Sequence, residues 1–340
     1  MSPASAHHPR DVLFEDGDPG SPLPVCDHYA GVEARMRKSL ALQGELGPVF
    51  DVTLDGEDGA PVGGELEHAH LIAELVQSPA NRFDRVGARV VPFGHRAFEP
   101  MLEVLLRDAG ERLAYLMLPK LRDAAELDAA VAAVDAAAHA AGVARPVPLH
   151  ALVETHGALR EVQRLAAHPR IESLSFGLMD FVSAHRGAIP QSAMGAEGQF
   201  THPLVARAKL EIAAACHGFG KTPSHCVVTE FKDLRLLQQA AERACRQFGY
   251  TRMWSIHPDQ VEVIVDAFAP SAAEVDLAVE IILAAEAAGW GPIRHRHGGH
   301  EQLHDRASYR YFWQVIERAR STSFGGQALP AEARRRWFGQ

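Results

Sequence analysis

Two spacings of apolar residues alternate along the chain. Short, nearly continuous apolar runs are separated by longer segments in which apolar residues return every three or four positions. The first pattern is typical of parallel strands covered on both faces, and the second predicts amphipathic helices. Eight runs are predicted as strands: residues 12–14, 49–54, 85–93, 114–118, 147–153, 171–177, 225–229 and 251–256. Helical spacing occupies seven intervening segments: residues 29–40, 66–76, 98–107, 124–139, 159–166, 203–216 and 234–248.

This alternation favours an α/β fold, a closed (β/α)₈ barrel of the TIM type. An open doubly wound sheet shows the same alternation, so the pattern alone leaves it open. After Gly289 the chain becomes rich in Gly and His, and helical spacing returns around residues 309–320. We therefore expect a barrel with an N-terminal lead-in over residues 1–289 and a C-terminal helical extension, or lid, over residues 290–340.

Composition and charge exclude several classes of protein. The 340 residues are 47% hydrophobic and 23% charged, which is ordinary for a globular protein and excludes wholesale disorder. The formal net charge of -9, without a basic stripe, argues against general binding to nucleic acid or to anionic membranes. Four scattered cysteines, no apolar run of about 18 residues and no signal-peptide pattern predict a cytoplasmic location.

Charged residues follow several of the predicted strands, where a barrel of this type carries its chemistry. Glu154 and Asp180 end the fifth and sixth predicted strands, which are neighbours in a barrel. Two converging carboxylates repel each other unless a cation lies between them, and Mg²⁺ is a hard cation that takes one or two carboxylates. Arg89 and Lys120, from nearby strands, are candidates to bind an anionic group of a substrate.

Five short motifs occur in a fixed order at these strand ends: Asp55-x-Glu57-Asp58, Pro119-Lys120, Glu154-Thr155, Phe176-Gly177-x-x-Asp180 and Ile256-His257-Pro258-x-Gln260. Together they resemble the signature of the citrate lyase β-subunit-like family, in the superfamily of 2-keto-acid aldolases and malyl-CoA lyases. The resemblance implies a (β/α)₈ barrel and a Mg²⁺-dependent carbon–carbon lyase. Its substrate would be a 3-hydroxyacyl-CoA, such as a malyl-CoA or a citryl-like thioester, and its partners an acyl-CoA and a keto or aldehyde acid.

The resemblance also implies roles for single residues. Glu154 and Asp180 match the metal ligands of the family, and Arg89 matches its catalytic, substrate-binding arginine. Glu57 and Asp58 match a catalytic loop that borders the site.

Two further binding residues and a proton donor complete the predicted site. Lys120 and His257 are assigned to substrate binding. Asp305 matches an aspartate that serves as a general acid in the active site of a neighbouring subunit. A shared site of this kind requires a homo-oligomer, which we expect to be a trimer or a hexamer.

The sequence departs from the family pattern at three places. The first predicted strand continues into Glu15-Asp16 and lacks the usual Pro-Gly ending. Val91 and Pro92 follow Arg89 where the family usually has an Asn two residues after its arginine. Gly56 stands where a bulky aliphatic residue is usual. These departures bear on the shape of the acyl or CoA pocket more than on the metal site.

Three other functions stay open at this stage. The chain could be an aldolase for free 2-keto acids without CoA, or a barrel that only binds a partner. The segment from His300 to His304 also fits the H-E-x-x-H pattern of zinc proteases, which requires both imidazoles on one face of a helix. For the cluster of His295, His297, His300 and His304, we expect adventitious metal binding rather than a designed site.

Overall fold

Eight parallel strands close into a barrel in chain order, with β1 paired to β8. The computed structural model describes residues 8–14, 23–60, 62–324 and 328–339. The barrel strands are β1 (Cys26–Ala30), β2 (Phe50–Asp55), β3 (Val86–Arg89), β4 (Leu116–Leu118), β5 (Leu149–Val153), β6 (Ile171–Phe176), β7 (Thr222–His225) and β8 (Arg252–Ser255). The predicted TIM barrel is therefore confirmed, and the open doubly wound sheet is excluded.

Helices follow the strands and continue past the barrel. They are α1 (Pro9–Leu13), α2 (Glu33–Leu46), α3 (Glu65–Gln77), α4 (Phe98–Ala109), α5 (Ala124–Ala141), α6 (His156–Arg160), α7 (Val162–Ala167), α8 (Leu178–Ser183), α9 (Gly198–Thr201), α10 (Pro203–Gly218), α11 (Leu234–Arg246), α12 (Asp259–Phe268), α13 (Ala272–Ala287), α14 (Arg306–Ser321) and α15 (Ala331–Phe338). None of these described helices is long and apolar enough to cross a membrane.

Two compact units make up the chain. The barrel occupies Leu23–Phe268, and the second unit combines Met1–Pro22 with Ala269–Gln340. The second unit therefore includes α13, and the division after Phe268 lies earlier in the chain than the boundary predicted at residue 289. In the second unit, α13, α14 and α15 share an apolar core around Trp313, to which α1 contributes Leu13. The C-terminal helices predicted from the sequence are thus present.

One predicted strand is wrong, and another is displaced. Residues 12–14 lie in or directly after α1, which begins at Pro9 in the position where a helix tolerates proline best. Glu15 and Asp16, which follow that predicted strand, lie outside the described residues. The first barrel strand is instead β1, whose buried Asp27 interrupts the apolar pattern. The seventh strand precedes the predicted run at 225–229 and contains Pro223, a weak strand former.

A buried polar network lies inside the barrel. The Arg252 guanidinium is 2.7 Å from Asp51 through Nη1 and 3.1 Å from Asp27 through Nη2. Tyr115 donates a hydrogen bond of 3.0 Å to Asp27, and its ring occupies space that only a glycine at position 87 leaves free. A Cβ atom on Gly87 would come within 2.4 Å of that ring. The interior is therefore packed and charge-paired, which is consistent with a structural role for this layer.

The segment that fits the zinc-protease pattern is a strand. β9 (Ile293–His297) and β10 (His300–His304) form an antiparallel hairpin. Gly298 and Gly299 connect them with positive φ angles of 57° and 85°, as a two-residue hairpin turn requires. In a strand, His300 and His304 are separated by about 13 Å along the chain. The zinc-protease hypothesis is therefore wrong, because its two imidazoles need a helix to converge.

Candidate active site at the carboxyl end of the barrel

Arg89 and Asp55 form a buried, bidentate ion pair at the mouth of the barrel. They are the last residues of β3 and β2, and the strand register places them side by side. Arg89 donates from Nε to Asp55 Oδ1 at 2.7 Å and from Nη2 to Oδ2 at 2.5 Å, and both side chains are buried. Burial opposes the positive charge, but the Asp55 carboxylate outweighs it and raises the pKa of Arg89 above its usual range. The guanidinium is thus permanently charged and held in one orientation.

Asp55 also shapes the loop that follows β2. Its carboxylate accepts hydrogen bonds from the backbone N–H of Glu57 (3.0 Å) and of Gly59 (2.8 Å). A Cβ on Gly56 would lie 2.2 Å from the side chain of Met101, which explains why this chain has no bulky residue there. The loop turns Glu57 toward Arg89, where Oε2 lies 3.2 Å from Nη1. The sequence placed Asp55 in a motif but did not identify it as the partner that orients Arg89.

Lys120 connects this loop to the next strand ends. Its ammonium group lies 2.5 Å from Glu57, 2.9 Å from Asp58 and 4.0 Å from Asp180. Partial burial opposes its charge, but the hydrogen bonds that it donates to Glu57 and Asp58 raise its pKa above the usual range. Lys120 has a positive φ of 52°, an uncommon conformation for a lysine, and its backbone N–H donates to Glu154 at 2.6 Å.

Glu154 is a buried carboxyl group, and the charged group with the largest effect on its pKa is a second carboxylate, Asp180. It follows β5 and is only 3% exposed, whereas Asp180, in the first turn of α8, is 44% exposed at its side chain. Burial raises the pKa of Glu154 to about 8, and the Asp180 carboxylate adds to this shift, against the Lys120 backbone N–H. Gly177 makes room for Glu154, because a Cβ there would lie 2.2 Å from Oε2.

This arrangement fits a divalent cation. A cation beside Glu154 and Asp180 would stabilise the charged forms of both groups, which burial and mutual repulsion disfavour. Hard oxygen donors with one partly exposed carboxylate match the preference of Mg²⁺, which keeps several water ligands. The two predicted metal ligands are therefore brought to the same place, together with Arg89 and Lys120.

A cavity of about 460 Å³ opens at the ends of β1 and β8. Its lining includes His257, Tyr29 and two cationic side chains of α2, Arg35 and Lys38. Tyr29 connects the cavity to the ion pair, because Arg89 lies 5.5 Å above the centre of its ring. The sequence predicted His257 but not the α2 cations, which the helical pattern presents as ordinary surface residues.

His257 is held by its neighbours at the edge of the cavity. Its ring stacks on Phe231 with centroids 5.1 Å apart, and its Nδ1 lies 3.6 Å from Asp259. The Ser255 hydroxyl donates to the His257 carbonyl oxygen and also contacts His28. Burial lowers the pKa of His28 to about 4, so this buried ring is neutral near pH 7.

Asp305 has a clear local role in the second unit. It is the N-cap of α14, and its carboxylate accepts from the backbone N–H of Ala307 (3.0 Å) and of Ser308 (3.4 Å). The Ser308 hydroxyl completes the capping box, and Asp305 itself is exposed. Its role as a proton donor in a neighbouring subunit stays a prediction.

Comparison with known proteins identifies the class to which this barrel and site belong. The family model described as HpcH/HpaI aldolase/citrate lyase matches residues 49–258. The chain belongs to the HpcH/HpaI aldolase/citrate lyase family, which confirms the family resemblance seen in the sequence.

Particular relatives narrow the comparison. The chain is 54% identical to a citrate lyase from Burkholderia xenovorans LB400 of known structure, with a TM-score of 0.83 and coverage of 98% of this chain and 99% of that one. It is 32% identical over 214 residues to an L-malyl-CoA/beta-methylmalyl-CoA lyase of Cereibacter sphaeroides, covering 60% of this chain. The match spans 65% of that relative's length.

Two further comparisons concern a solved structure with bound ligands and a relative with a different named activity. The protein CitE from Mycobacterium tuberculosis, in complex with magnesium, acetoacetate and coenzyme A, has the same fold at 21% identity, with a TM-score of 0.65 over 87% of this chain and 98% of that one. A (3S)-malyl-CoA thioesterase of Cereibacter sphaeroides is 29% identical over 256 residues, covering 74% of this chain and 80% of the relative.

Proposed function

We propose that this protein is a Mg²⁺-dependent carbon–carbon lyase that acts on a 3-hydroxyacyl-CoA, such as a malyl-CoA or a citryl-like thioester. The reaction breaks the bond between C2 and C3 of the acyl chain. The 3-hydroxyl group loses its proton and becomes the carbonyl of a keto or aldehyde acid. C2 becomes the enolate carbon of an acyl-CoA and takes up a proton. The observation that carries this proposal is the pair of carboxylates, Glu154 and Asp180, beside the fixed guanidinium of Arg89.

Glu154 and Asp180 would hold the cation. When bound, Mg²⁺ supplies Lewis acidity toward the oxygens of an acidic substrate. Glu154 would be the more firmly held of the two ligands, because it is buried and its position is fixed by Gly177 and by the Lys120 backbone. Asp180 is the more exposed and leaves space for substrate and water on its side.

Arg89 would stabilise the negative oxygen of the enolate. Asp55 occupies the Nε and Nη2 edge, so the bidentate pair fixes the plane of the guanidinium. The remaining edge, at Nη1, is the one that faces Glu57 and the mouth. A charged donor that is oriented before the reaction stabilises developing negative charge without reorganising. Glu57, whose pKa is raised by burial, and Asp58 are proposed to complete the catalytic loop.

The cavity beside Arg89 supports a CoA thioester rather than a free keto acid. Arg35 and Lys38 give one wall of the cavity two positive charges, which suit the phosphate groups of an extended anionic cofactor. His257 and Phe231 add a flat, partly apolar surface on the same cavity. A free 2-keto acid needs neither the volume nor these charges, and a barrel that only binds a partner needs no carboxylate pair.

The likeness to a malyl-CoA thioesterase supports a second candidate, hydrolysis of the thioester. The two reactions release different products from the same substrate. A lyase forms a keto or aldehyde acid and leaves the thioester intact, whereas a thioesterase releases a free thiol and a hydroxy acid. A lyase therefore requires the C2–C3 bond to break, and a thioesterase requires only water.

A substrate panel tests the proposal. The purified protein is incubated with Mg²⁺ and with a series of 3-hydroxyacyl-CoA esters and free hydroxy-keto acids, and carbonyl and thiol products are measured separately. We expect carbonyl formation from at least one thioester, lost in Glu154→Gln and on removal of Mg²⁺. Thiol release without carbonyl would favour the thioesterase, and turnover of only the free acids would favour the CoA-independent aldolase. Inactivity toward the whole panel would favour the non-catalytic barrel.

A further inference from the structure

Three potential metal ligands converge in the second unit of the chain. Glu280 lies on α13, and His295 and His297 lie on β9. Glu280 Oε2 is 3.3 Å from His295 Nε2 and 4.0 Å from His297 Nδ1. The three donor atoms all lie within 4.8 Å of one another, and among the described residues no other group of three or more His, Cys, Asp or Glu side chains meets this criterion.

The strand geometry presents both imidazoles on one face. Side chains alternate along a strand, so His295 and His297 share a face while Arg294 and Arg296 point the other way. The two positive charges of β9 are therefore directed away from the position where a cation would bind. On the neighbouring strand, His300 stands directly opposite His297 and so projects from the same face.

The ring nitrogen of His295 is the atom of this group that most directly points to metal binding. Its Nε2 is buried and makes no hydrogen bond to any described residue, although Glu280 Oε2 lies 3.3 Å away. A tetrahedral ion with bonds of about 2.0–2.2 Å holds neighbouring donor atoms roughly 3.3–3.6 Å apart. The separation between His295 and Glu280 is thus the one expected of two ligands that share such an ion, and His297 needs only a small adjustment.

The surroundings hold His295 in place. Its ring packs against the buried His304, with centroids 6.3 Å apart, and His304 packs in turn on Phe312 of α14. The Tyr309 hydroxyl, also on α14, donates to the His304 carbonyl oxygen at 3.1 Å. The side chain of His295 is only 19% exposed, so at least one ligand of the group has little freedom to lose on binding.

We propose that Glu280, His295 and His297 bind a divalent d-block ion of the zinc class and that this ion links β9 to α13. Two imidazole nitrogens and one carboxylate oxygen suit Zn²⁺ and similar ions, whereas Mg²⁺ prefers an all-oxygen set. Water or His300 then fills the fourth position. This site uses none of the residues proposed for catalysis and does not depend on the proposed function.

Metal titration of the full chain tests the site. Protein without a polyhistidine tag is freed of metal and titrated with Zn²⁺, and with Co²⁺ as a spectroscopic probe, in millimolar Mg²⁺ so that an oxygen-rich site is filled. We expect one ion per chain and the visible absorption of tetrahedral Co²⁺. Since loss of a supporting group costs 10–100-fold in affinity, removing a ligand should weaken the Kd about 100-fold or more. This should hold for both Glu280→Gln and the double variant His295→Asn/His297→Asn.

The matched control removes two exposed histidines elsewhere, His70→Asn/His139→Asn, and should bind the ion as the unmodified protein does. Equal weakening in the control would mean adventitious binding to surface histidines and would overturn the proposal. Loss of Zn²⁺ binding in Glu154→Gln, with binding retained in His295→Asn/His297→Asn, would also overturn it, because the ion would then belong to the barrel. Glu280→Gln keeps both imidazoles, so it still tests the site if the double variant does not fold.

Discussion

Buried carboxyl groups lie in two regions of the barrel, and their charges are balanced in different ways. In the interior, Asp27 and Asp51 contact the guanidinium of Arg252 at 3.1 and 2.7 Å. Burial raises the pKa of Asp51, and the charges of Arg252 and Arg85 oppose that shift. At the mouth, burial raises the pKa of Glu154 to about 8, and the neighbouring Asp180 carboxylate pushes in the same direction.

The difference separates a structural group from one suited to chemistry. The charges of Asp27 and Asp51 are balanced within the chain by a buried guanidinium. Burial and a neighbouring carboxylate instead favour the protonated form of a carboxyl group, and a bound cation would stabilise its charged form. The interior network therefore contributes to the integrity of the barrel, whereas the carboxyl groups at the mouth fit the exchangeable cation that we propose.

The largest effect is expected when Arg252 loses the positive charge that balances the interior carboxylates. Arg252→Met leaves Asp27 and Asp51 buried without their partner and should reduce the free energy of unfolding by about 3–5 kcal/mol. Urea unfolding at pH 7 measures the loss. Arg85→Met is the matched control, because Arg85 is 35% exposed and 3.8 Å from Asp51, and its loss should cost less than about 1 kcal/mol. Similar costs for the two variants would contradict the special role of Arg252.

At the mouth, the raised pKa of Glu154 should appear as a pH dependence of stability. The pKa of Glu154 is raised in the folded state, from 4.5 to about 8, so the folded protein binds more protons than the unfolded chain between these values. Without Mg²⁺, the free energy of unfolding should fall as pH rises through this window, by roughly 3–5 kcal/mol. Mg²⁺ should reduce the slope, and Glu154→Gln should abolish both the slope and the response to Mg²⁺. An unchanged slope in Glu154→Gln would show that another group titrates.

Arg89 shares a feature with each region: like Arg252 it is paired with a carboxylate of its own chain, Asp55, and like Glu154 it lies at the mouth. Arg89→Lys keeps the charge but loses the bidentate contact with Asp55, so kcat/KM on the true substrate should fall by roughly 10²–10³. Steady-state kinetics with the substrate found in the panel give the value. Lys120→Arg is a useful comparison, because that ammonium contacts its carboxylates as a point charge. Near-full activity of Arg89→Lys would reduce Arg89 to a structural ion-pair partner.

The packing around Glu154, the proposed metal ligand, gives a smaller and more local test. Gly177→Ala places a Cβ 2.2 Å from Glu154 Oε2, in a backbone conformation that alanine can adopt, with φ of -88°. Displacing Glu154 should weaken the Mg²⁺ response at least about tenfold and cost about 1–3 kcal/mol of stability. Gly218→Ala meets no atom within 4 Å and should leave the response unchanged. A thermal midpoint that still rises normally with Mg²⁺ in Gly177→Ala would mean that Glu154 is not the ligand.

The sequence predicted the barrel because most strands carry continuous apolar runs. It failed at β1 and β7, where polar residues such as Asp27 and Ser224 are buried inside the barrel and break the pattern. Burial of a polar side chain depends on a partner far along the chain, here Arg252 for Asp27. Local apolar periodicity contains no information about such a partner.

For the site, the sequence placed Glu154, Asp180, Arg89 and Lys120 at strand ends, where the fold brings them together. It did not identify the role of Asp55, because that follows from strand register. The sequence singled out His295 and His297 but not Glu280, which lies one helix end and a turn earlier in the chain and approaches the two histidines only in the fold. The Gly298-Gly299 pair, however, was a usable signal that the H-E-x-x-H segment belongs to a hairpin.

The smallest effect is expected at Asp305. Two substitutions separate its role as the N-cap of α14 from its predicted role as a proton donor. Asn caps helices as well as Asp does, so Asp305→Asn should unfold like the unmodified protein, whereas Asp305→Ala should lose about 0.5–2 kcal/mol. If Asp305 also delivers a proton, both variants should lose activity although only one loses stability. Mixed oligomers of Asp305→Asn and Glu154→Gln, after subunit exchange, should then regain part of the activity, because some sites inherit both intact residues. Full activity of Asp305→Asn alone would leave Asp305 with the capping role and nothing more.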